Sequence, residues 1–161
     1  MAVTYVRGDR KLVTFPVTAG TTFAKGELLA VASNAVKSFT TLSDVGTKAQ
    51  NQAAARDAFA GVANVAVTSG SPASIQVATA GTFTFDCASA TFNVGDMVTP
   101  IGTGAADAVG VSATSVEVTT NQSLAIGRVV KKYASATTRV QVEIFGVYMG
   151  RPADDVVAVD T

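Results

Sequence analysis

The side chains that could carry chemistry in this sequence are chiefly carboxylates. Asp154 and Asp155 are adjacent and could bind a metal ion, but neighbouring residues of an extended chain point to opposite sides. Glu27 and Asp96 each follow a glycine in a turn-like stretch, where a carboxylate commonly caps backbone N–H groups. We therefore interpret the first pair as part of a solvated tail and the second pair as turn residues, and we expect no carboxylate active site.

Other catalytic groups are scarce in the sequence. With no histidine and one cysteine, Cys87, the chain cannot build a Ser-His-Asp or Cys-His arrangement or the usual zinc and iron–sulfur ligand sets. Cys87 has no basic neighbour in sequence to lower its pKa, which favours a structural thiol over a nucleophile. The glycine-rich segment 102–110 lacks the lysine of a phosphate-binding loop. The sequence predicts no enzyme, no metal and no cofactor.

Basic side chains occur in two small groups. Lys131 and Lys132 precede Tyr133, a combination that can bind and stack on a nucleic-acid strand, although lysines at a strand end are more often a solvated edge. The second group lies in or beside residues 1–10, which we interpret as an arm or an edge strand. As an arm, this segment is a candidate contact with a partner protein, and its candidate residues are Thr4, Tyr5, Val6, Arg7, Arg10 and Lys11.

The charge composition argues against electrostatically recruited partners. Twelve basic and twelve acidic residues give a formal net charge of zero, and charged residues make up only 15% of the chain. No overall field attracts nucleic acid or an anionic membrane, and we expect neither as a partner. So few charges protect poorly against association, which suits a protein that is covered by partners. We find neither a signal sequence nor a long apolar run, and expect cytoplasmic synthesis.

The elements that must position these groups are predicted to be mainly β strands. The sequence has 25 valines and 21 threonines against five leucines, and β-branched residues favour sheets. The exception is the stretch 43–60, whose Ala, Gln, Lys and Arg content predicts one short helix near 47–59. Ser43 or Asp44 is the expected cap, and Gly61 the expected stop.

One short phrase occurs twice in the chain. Residues 22–29 and 91–98 both have the form Thr-Phe-x-x-Gly-acid-apolar-apolar, and the shared turn residues are Phe23, Gly26, Glu27, Phe92, Gly95 and Asp96. Further markers follow in the same order: Gly61 and Gly127, Gln76 and Gln141, Gly81 and Gly146, Phe83 and Tyr148. Two copies of one simple β-hairpin sequence pattern would explain each marker taken alone. The shared order predicts two bent β-ribbon units, in which the Phe fixes the turn to the core and the acid caps it.

These observations predict one mainly β body built from two bent β-ribbon units. Its parts are an N-terminal arm at 1–10, a single β domain at 11–149 and a C-terminal tail at 150–161. The half-repeats inside the domain are expected at about 19–85 and 88–149. The tail contains Pro152, which disfavours a helix before it, and is expected to be extended.

With the repeat in view, the sequence resembles the capsid cement, or head decoration, proteins of tailed bacteriophages. The resemblance spans most of residues 19–146 and is carried by AGTTFAKGELLAV, AFAGVA, VATAGTFTF, TFNVGDMVTP, AIGRVV and TTRVQVEIFG. Members of that family pass in this order from an arm through a Gly-Asp turn, a Gly-Val-Ala strand and a second such turn to a closing strand. The helix-like stretch 43–60 departs from the plainest members.

The resemblance implies a compact body with a β-clip or barrel-like form, and a structural protein of the virion. It would sit as a homotrimer on the outer surface of the capsid, bind the major capsid protein and stabilise the expanded head, after synthesis in the host cytoplasm. Two other functions remain open at this point. The chain could be another virion β module, associated with the tail tube or a fibre, or it could be a ligand-binding β module.

Overall fold

The computed structural model of the chain describes residues 3–7 and 11–146. Of these residues, 56% lie in strands and 14% in helices, which confirms the predicted mainly β fold with a barrel-like body. Ten of the strands fall into two consecutive groups of five, here called the N-terminal unit and the C-terminal unit. One further strand, β1 (Thr4–Arg7), precedes them.

The N-terminal unit is a curled five-stranded sheet. Its strands are β2 (Leu12–Pro16), β3 (Leu28–Ala32), β4 (Ala35–Ser38), β5 (Phe59–Ala63) and β6 (Ser74–Ala78). They are hydrogen-bonded in the order β2-β6-β5-β3-β4. The two outer strands approach each other at a parallel bridge between Val17 and Val36, beside which Thr18 N donates to Val36 O at 3.0 Å. Pro16 ends its strand, as a residue without a backbone N–H is expected to do.

The C-terminal unit is a closed five-stranded barrel. Its strands are β7 (Ala80–Phe92), β8 (Met97–Thr103), β9 (Gly110–Thr119), β10 (Gly127–Val129) and β11 (Tyr133–Phe145). They follow the order β7-β11-β10-β8-β9, and a parallel contact between Asp86 and Ser115 joins β9 back to β7.

The two units therefore have the same strand order and the same parallel closing contact between first and third strands. This confirms the predicted pair of β units, but it moves their boundary. β7 occupies in the C-terminal unit the place that β2 has in the N-terminal unit, so the chain divides at Thr79 rather than between residues 85 and 88. The sequence markers could not reveal this, because β2 joins its unit through a distant partner, β6.

Gly61 and Gly127 mark the same place in both units. Gly61 begins the close approach of β5 to β6, where an added Cβ would overlap the carbonyl oxygen of Ala78. At Gly127 in β10, an added Cβ would overlap the carbonyl oxygen of Glu143 in β11. The repeated glycine therefore lets one strand lie against the backbone of the next.

The core joins the units. β3 is buried on both faces: Leu29 packs with Phe15 and Val36 inside the N-terminal unit, while Leu28 belongs to a cluster that continues into the C-terminal unit. That larger cluster includes Phe39, Phe59, Phe83, Phe85, Val98, Val140 and Val142. The larger cluster therefore joins the two units, while a second, smaller cluster lies inside the N-terminal unit.

Helix α1 (Lys48–Ala58) confirms the predicted helix, but its cap is Thr47 rather than Ser43 or Asp44. Thr47 Oγ1 accepts from Gln50 N, and the Gln50 side chain accepts from Thr47 N at 3.0 Å, a reciprocal capping box. The helix leaves the N-terminal unit between β4 and β5 and packs mainly against β8, the short helical turn Gln122–Leu124 and β9 of the other unit.

Candidate functional site

The first repeated turn is a tightly bonded structural element. Glu27 Oε2 accepts from Ala24 N at 2.8 Å, and Glu27 Oε1 accepts from the buried Ser38 hydroxyl at 2.6 Å. Gly26 has a φ of +93° and donates its N–H to Ala63 O at 2.9 Å. Phe23 is buried in the core of the N-terminal unit. The carboxylate is thus engaged in holding the turn and the neighbouring strand β4.

The second turn repeats this geometry almost atom for atom. Asp96 Oδ2 accepts from Asn93 N at 2.9 Å, and Gly95, with a φ of +91°, donates to Val129 O at 2.8 Å. Phe92 is buried in the core shared by the units. The turn also presents Val94, which is 66% exposed, more than any other large hydrophobic residue in 3–7 and 11–146.

The described part of the predicted arm lies on the body of the protein. Residues 4–7 form β1, antiparallel to β7, with Thr4 opposite Thr84 and Tyr5 opposite Phe83. The Tyr5 and Phe83 rings meet edge to face, 5.6 Å between centroids. Residues 4–7 of the expected arm therefore form an edge strand, because their backbone pairs with β7 instead of extending into solvent. An edge strand was one of the two structures that the sequence left open for this segment.

The N-terminal strand is also anchored by Val3. Val3 is buried in the shared core, and its carbonyl oxygen passes the first repeated turn so closely that a Cβ at Gly26 would lie 2.6 Å from it. Among the other arm residues, Tyr5 and Val6 are exposed, and Lys11 accepts through its carbonyl from Thr79 N at 2.8 Å. Arg10 and the predicted tail 150–161, with Asp154 and Asp155, lie outside the described residues.

Two buried amides connect helix α1 to the C-terminal unit. Gln52 Nε2 donates to Pro100 O at 2.9 Å and to Glu117 Oε2 at 2.8 Å. Asn51 Nδ2 donates to Ala108 O at 3.0 Å, while Asn51 Oδ1 accepts from Val45 N at 2.8 Å. The sequence analysis treated the stretch that contains Asn51 and Gln52 only as helix-forming and did not predict this contact. The available signal was the presence of two amides in an otherwise Ala-rich helix, because buried amides need hydrogen-bond partners.

The loops joined by Asn51 expose apolar side chains. Val45 precedes the helix and Val109 ends the loop between β8 and β9, and both are about half exposed. Asp44 fixes the first loop by accepting from Gly46 N and Asn51 Nδ2, and these two hydrogen bonds, the backbone one first, lower the pKa of the Asp44 carboxyl below its ordinary value. The two loops thus form one ordered surface with an apolar component.

A cleft opens at the C-terminal end of helix α1. It has a volume of about 140 Å³ and is lined by Arg56 of the helix, Met97 of β8, Gln122, Arg128 of β10 and Phe145 of β11, with Ala125 and Gly127. Arg128 Nη1 donates to Gly95 O at 2.9 Å, which holds this guanidinium at the second repeated turn. Arg56 also pairs with its neighbour Asp57, Nη1 to Oδ1 at 3.3 Å. The lining residues themselves include two guanidinium groups and no acid, so the cleft is suited to a carboxylate with an apolar neighbour.

Cys87 and Tyr133 are engaged in packing. Burial, with a smaller effect from the neighbouring Asp86 carboxylate, raises the pKa of the Cys87 thiol, so the reactive thiolate is disfavoured. The Tyr133 ring packs edge to face on Phe92, and its hydroxyl accepts from Gln141 N at 3.1 Å. Lys131 Nζ lies 5.5 Å from the centre of that ring. The predicted Lys-Tyr group is therefore partly committed to the barrel itself.

Residues 3–7 and 11–146 contain no group of three or more Cys, Asp or Glu residues placed to hold a metal ion. No helix within this part of the chain is long and apolar enough to cross a membrane. Compared with models of known protein families and with curated proteins, the sequence matches none.

Proposed function

We propose that the chain is a structural virion protein that binds the outside of a tailed-phage capsid as a homotrimer and cements neighbouring major capsid subunits. The observation that carries the proposal is the position of the family-like motifs in the fold. The two Phe-x-x-Gly-acid phrases are the paired turns, AFAGVA contains β5, AIGRVV contains β10, and TTRVQVEIFG covers most of β11, the last strand of the barrel.

A cement protein needs a stiff body, because flexible contacts lose part of their energy in ordering. The shared core, the closed barrel and the amide-linked helix supply that stiffness. It also needs apolar contacts on its outside. Val45, Val94 and Val109 are at least half exposed and stand on turns or loops that hydrogen bonds hold in place.

The edge strand offers a second kind of contact. β1 is the last strand of its sheet, so its outer backbone edge is available within the described part of the chain for pairing with a strand of a capsid subunit. Stable protein interfaces bury roughly 1,200 to 2,000 Å². A short edge strand together with the valine-bearing loops can contribute to an area of that size, and many copies on one shell multiply the effect.

Co-sedimentation with expanded, undecorated heads of the parent phage tests this function. We expect saturable binding with a fixed stoichiometry per capsid subunit and a rise in the temperature at which the heads come apart. A double change at the exposed valines, Val45→Asp with Val109→Asp, is expected to weaken binding, whereas Val118→Asp on strand β9 serves as a control for added charge. Heads that bind no protein would contradict the proposal.

One observation favours a different function. The cleft between Arg56 and Arg128 has the charge and size for a small acidic ligand, which would fit a ligand-binding β module. Saturable binding of a small dicarboxylate to the isolated protein, with no binding to heads, would favour that function over the structural one. Density for this chain on the tail of the particle would instead favour the other virion module.

A further inference from the structure

The arginine-lined cleft lies beside the point where the described chain ends. Phe145 lines the cleft, and Gly146 follows it. Gly146 N donates to Thr79 O at 3.1 Å, and a Cβ at Gly146 would overlap the carbonyl oxygen of Ala60. Neither Thr79 nor Ala60 lines the cleft, so the chain leaves it in the direction of the N-terminal unit.

The remaining sequence has the chemistry that the cleft would accept. Residues 154–160 read Asp-Asp-Val-Val-Ala-Val-Asp, which places carboxylates next to small apolar side chains. The cleft presents the guanidinium groups of Arg56 and Arg128 beside the apolar surfaces of Met97 and Phe145. Arginine pairs with carboxylates in a fixed two-pronged geometry, and the thioether and the ring can cover the valines.

We propose that the cleft of one copy binds the acidic, valine-rich segment 154–159 of a second copy of this chain. Asp154 lies eight positions beyond Gly146, a reach of about 26 Å when extended, which is enough to cross to a neighbour. Gly146 is held against the N-terminal unit rather than over the cleft, which favours a cleft on a neighbouring copy. Each copy offers one cleft and one such segment, and a head-to-tail exchange of this kind forms a ring when the rotation between copies closes, as in a homotrimer.

This inference rests on the homotrimer of the proposed function and names the contact that holds it together. It makes self-association electrostatic as well as apolar. Added salt weakens contacts between exposed charges, so association of the isolated protein should decrease as the salt concentration rises.

Sedimentation velocity of the full chain tests the proposal with two charge-reversed variants. The tail variant carries Asp154→Lys and Asp155→Lys, and the cleft variant carries Arg128→Glu at an exposed position of β10. Each alone is expected to self-associate at least about tenfold more weakly than the original chain, because like charges then face each other. A chain that carries all three changes is expected to recover association, since its lysine-bearing tail fits the glutamate-bearing cleft of the next copy.

The control variant carries Lys131→Glu and Lys132→Glu, which change as much charge away from the cleft and should leave association unchanged. Circular dichroism and thermal melting of every variant separate lost contacts from lost folding. A monomeric original chain, an unaffected tail variant, or a chain with all three changes that fails to recover would each overturn the proposal. Variants that shift the melting temperature without changing sedimentation would overturn it as well, because they indicate a segment bound in its own cleft. Head binding is measured separately, so these results leave the capsid proposal to its own test.

Discussion

Gly26 and Gly95 occupy the same position of the same turn, with φ values of +93° and +91°, but their surroundings differ. A Cβ on Gly26 would lie 2.6 Å from the carbonyl oxygen of Val3, whereas no described residue other than its chain neighbours comes within 4 Å of a Cβ on Gly95. The difference is Val3, just before β1, which passes the first turn; in the described part of the chain no segment passes the second turn in this way. Comparing substitutions at the two glycines therefore separates the cost of a positive φ in the turn from the cost of displacing the N-terminal segment.

Replacing each glycine by alanine should measure the two effects. Gly95→Ala is expected to cost about 1–2 kcal/mol, the strain of a side chain at positive φ. Gly26→Ala is expected to cost about 1–3 kcal/mol more, because β1 must shift as well. Urea unfolding gives both values, and deleting residues 1–7 should remove the excess at Gly26. Equal losses in the full-length protein would mean that β1 does not pack as described.

The acid of the first turn should matter more than the acid of the second. Glu27→Ala removes the acceptor of the buried Ser38 hydroxyl as well as that of Ala24 N, and we expect a loss of about 2–3 kcal/mol. Asp96→Ala removes the acceptor of the exposed Asn93 N–H and should cost about 1 kcal/mol. Chemical denaturation compares them directly, and a larger loss at Asp96 would contradict the assigned bonding.

The buried amide of the helix should outweigh the ion pair beside it. Gln52→Met keeps the volume but leaves Pro100 O without its donor, at an expected cost of about 1–3 kcal/mol. Lys48→Met removes the ion pair between Lys48 Nζ and Glu117 Oε2, which are 2.9 Å apart. Both side chains are partly exposed, so this change should lower the free energy of unfolding by less than about 1 kcal/mol. Both changes affect Glu117, so each controls for the other. The reverse ranking in thermal unfolding would contradict this account of the helix contact.

The loop before the helix should respond to acid. The pKa of Asp44 is lower in the folded protein than in the unfolded chain, so its contribution is present above the ordinary Asp range and is lost as the pH falls through the folded value. Asp44→Asn should therefore be less stable than the original at neutral pH, and the difference should shrink in acid. Denaturant unfolding of both proteins from neutral to acidic pH tests this prediction. A stability difference that grows on acidification would contradict the assigned hydrogen bonds of Asp44.

The mainly β composition, the repeated turns and the helix could be predicted from the sequence, because they depend on residue types or on residues close together in the chain. Phe23 and Phe92, with their glycines three residues later, revealed two units before any strand order was known. Strand pairing over long distances was not accessible in the same way. β2 pairs with β6, and only that pairing shows that β7 opens the second unit.

Local competition explains the remaining differences. Ser43, Asp44 and Thr47 all have suitable capping side chains, and Gln50, three residues after Thr47, decides between them by completing the capping box. The pairing of Thr4–Arg7 with β7 is accompanied by the packing of Val3 against the turn at Gly26. Both contacts join distant parts of the chain, so local sequence patterns could not predict them. The amides Asn51 and Gln52 acquire their role only when β8 and β9 lie beside the helix.

A cryo-electron microscopy reconstruction of the parent particle is the most direct test of the proposed role. The account predicts density for this two-unit body on the outer capsid surface, grouped in threes, with β1 or the Val45 and Val109 loops touching a major capsid subunit. A capsid surface without such density, in a particle that contains the chain, would contradict it.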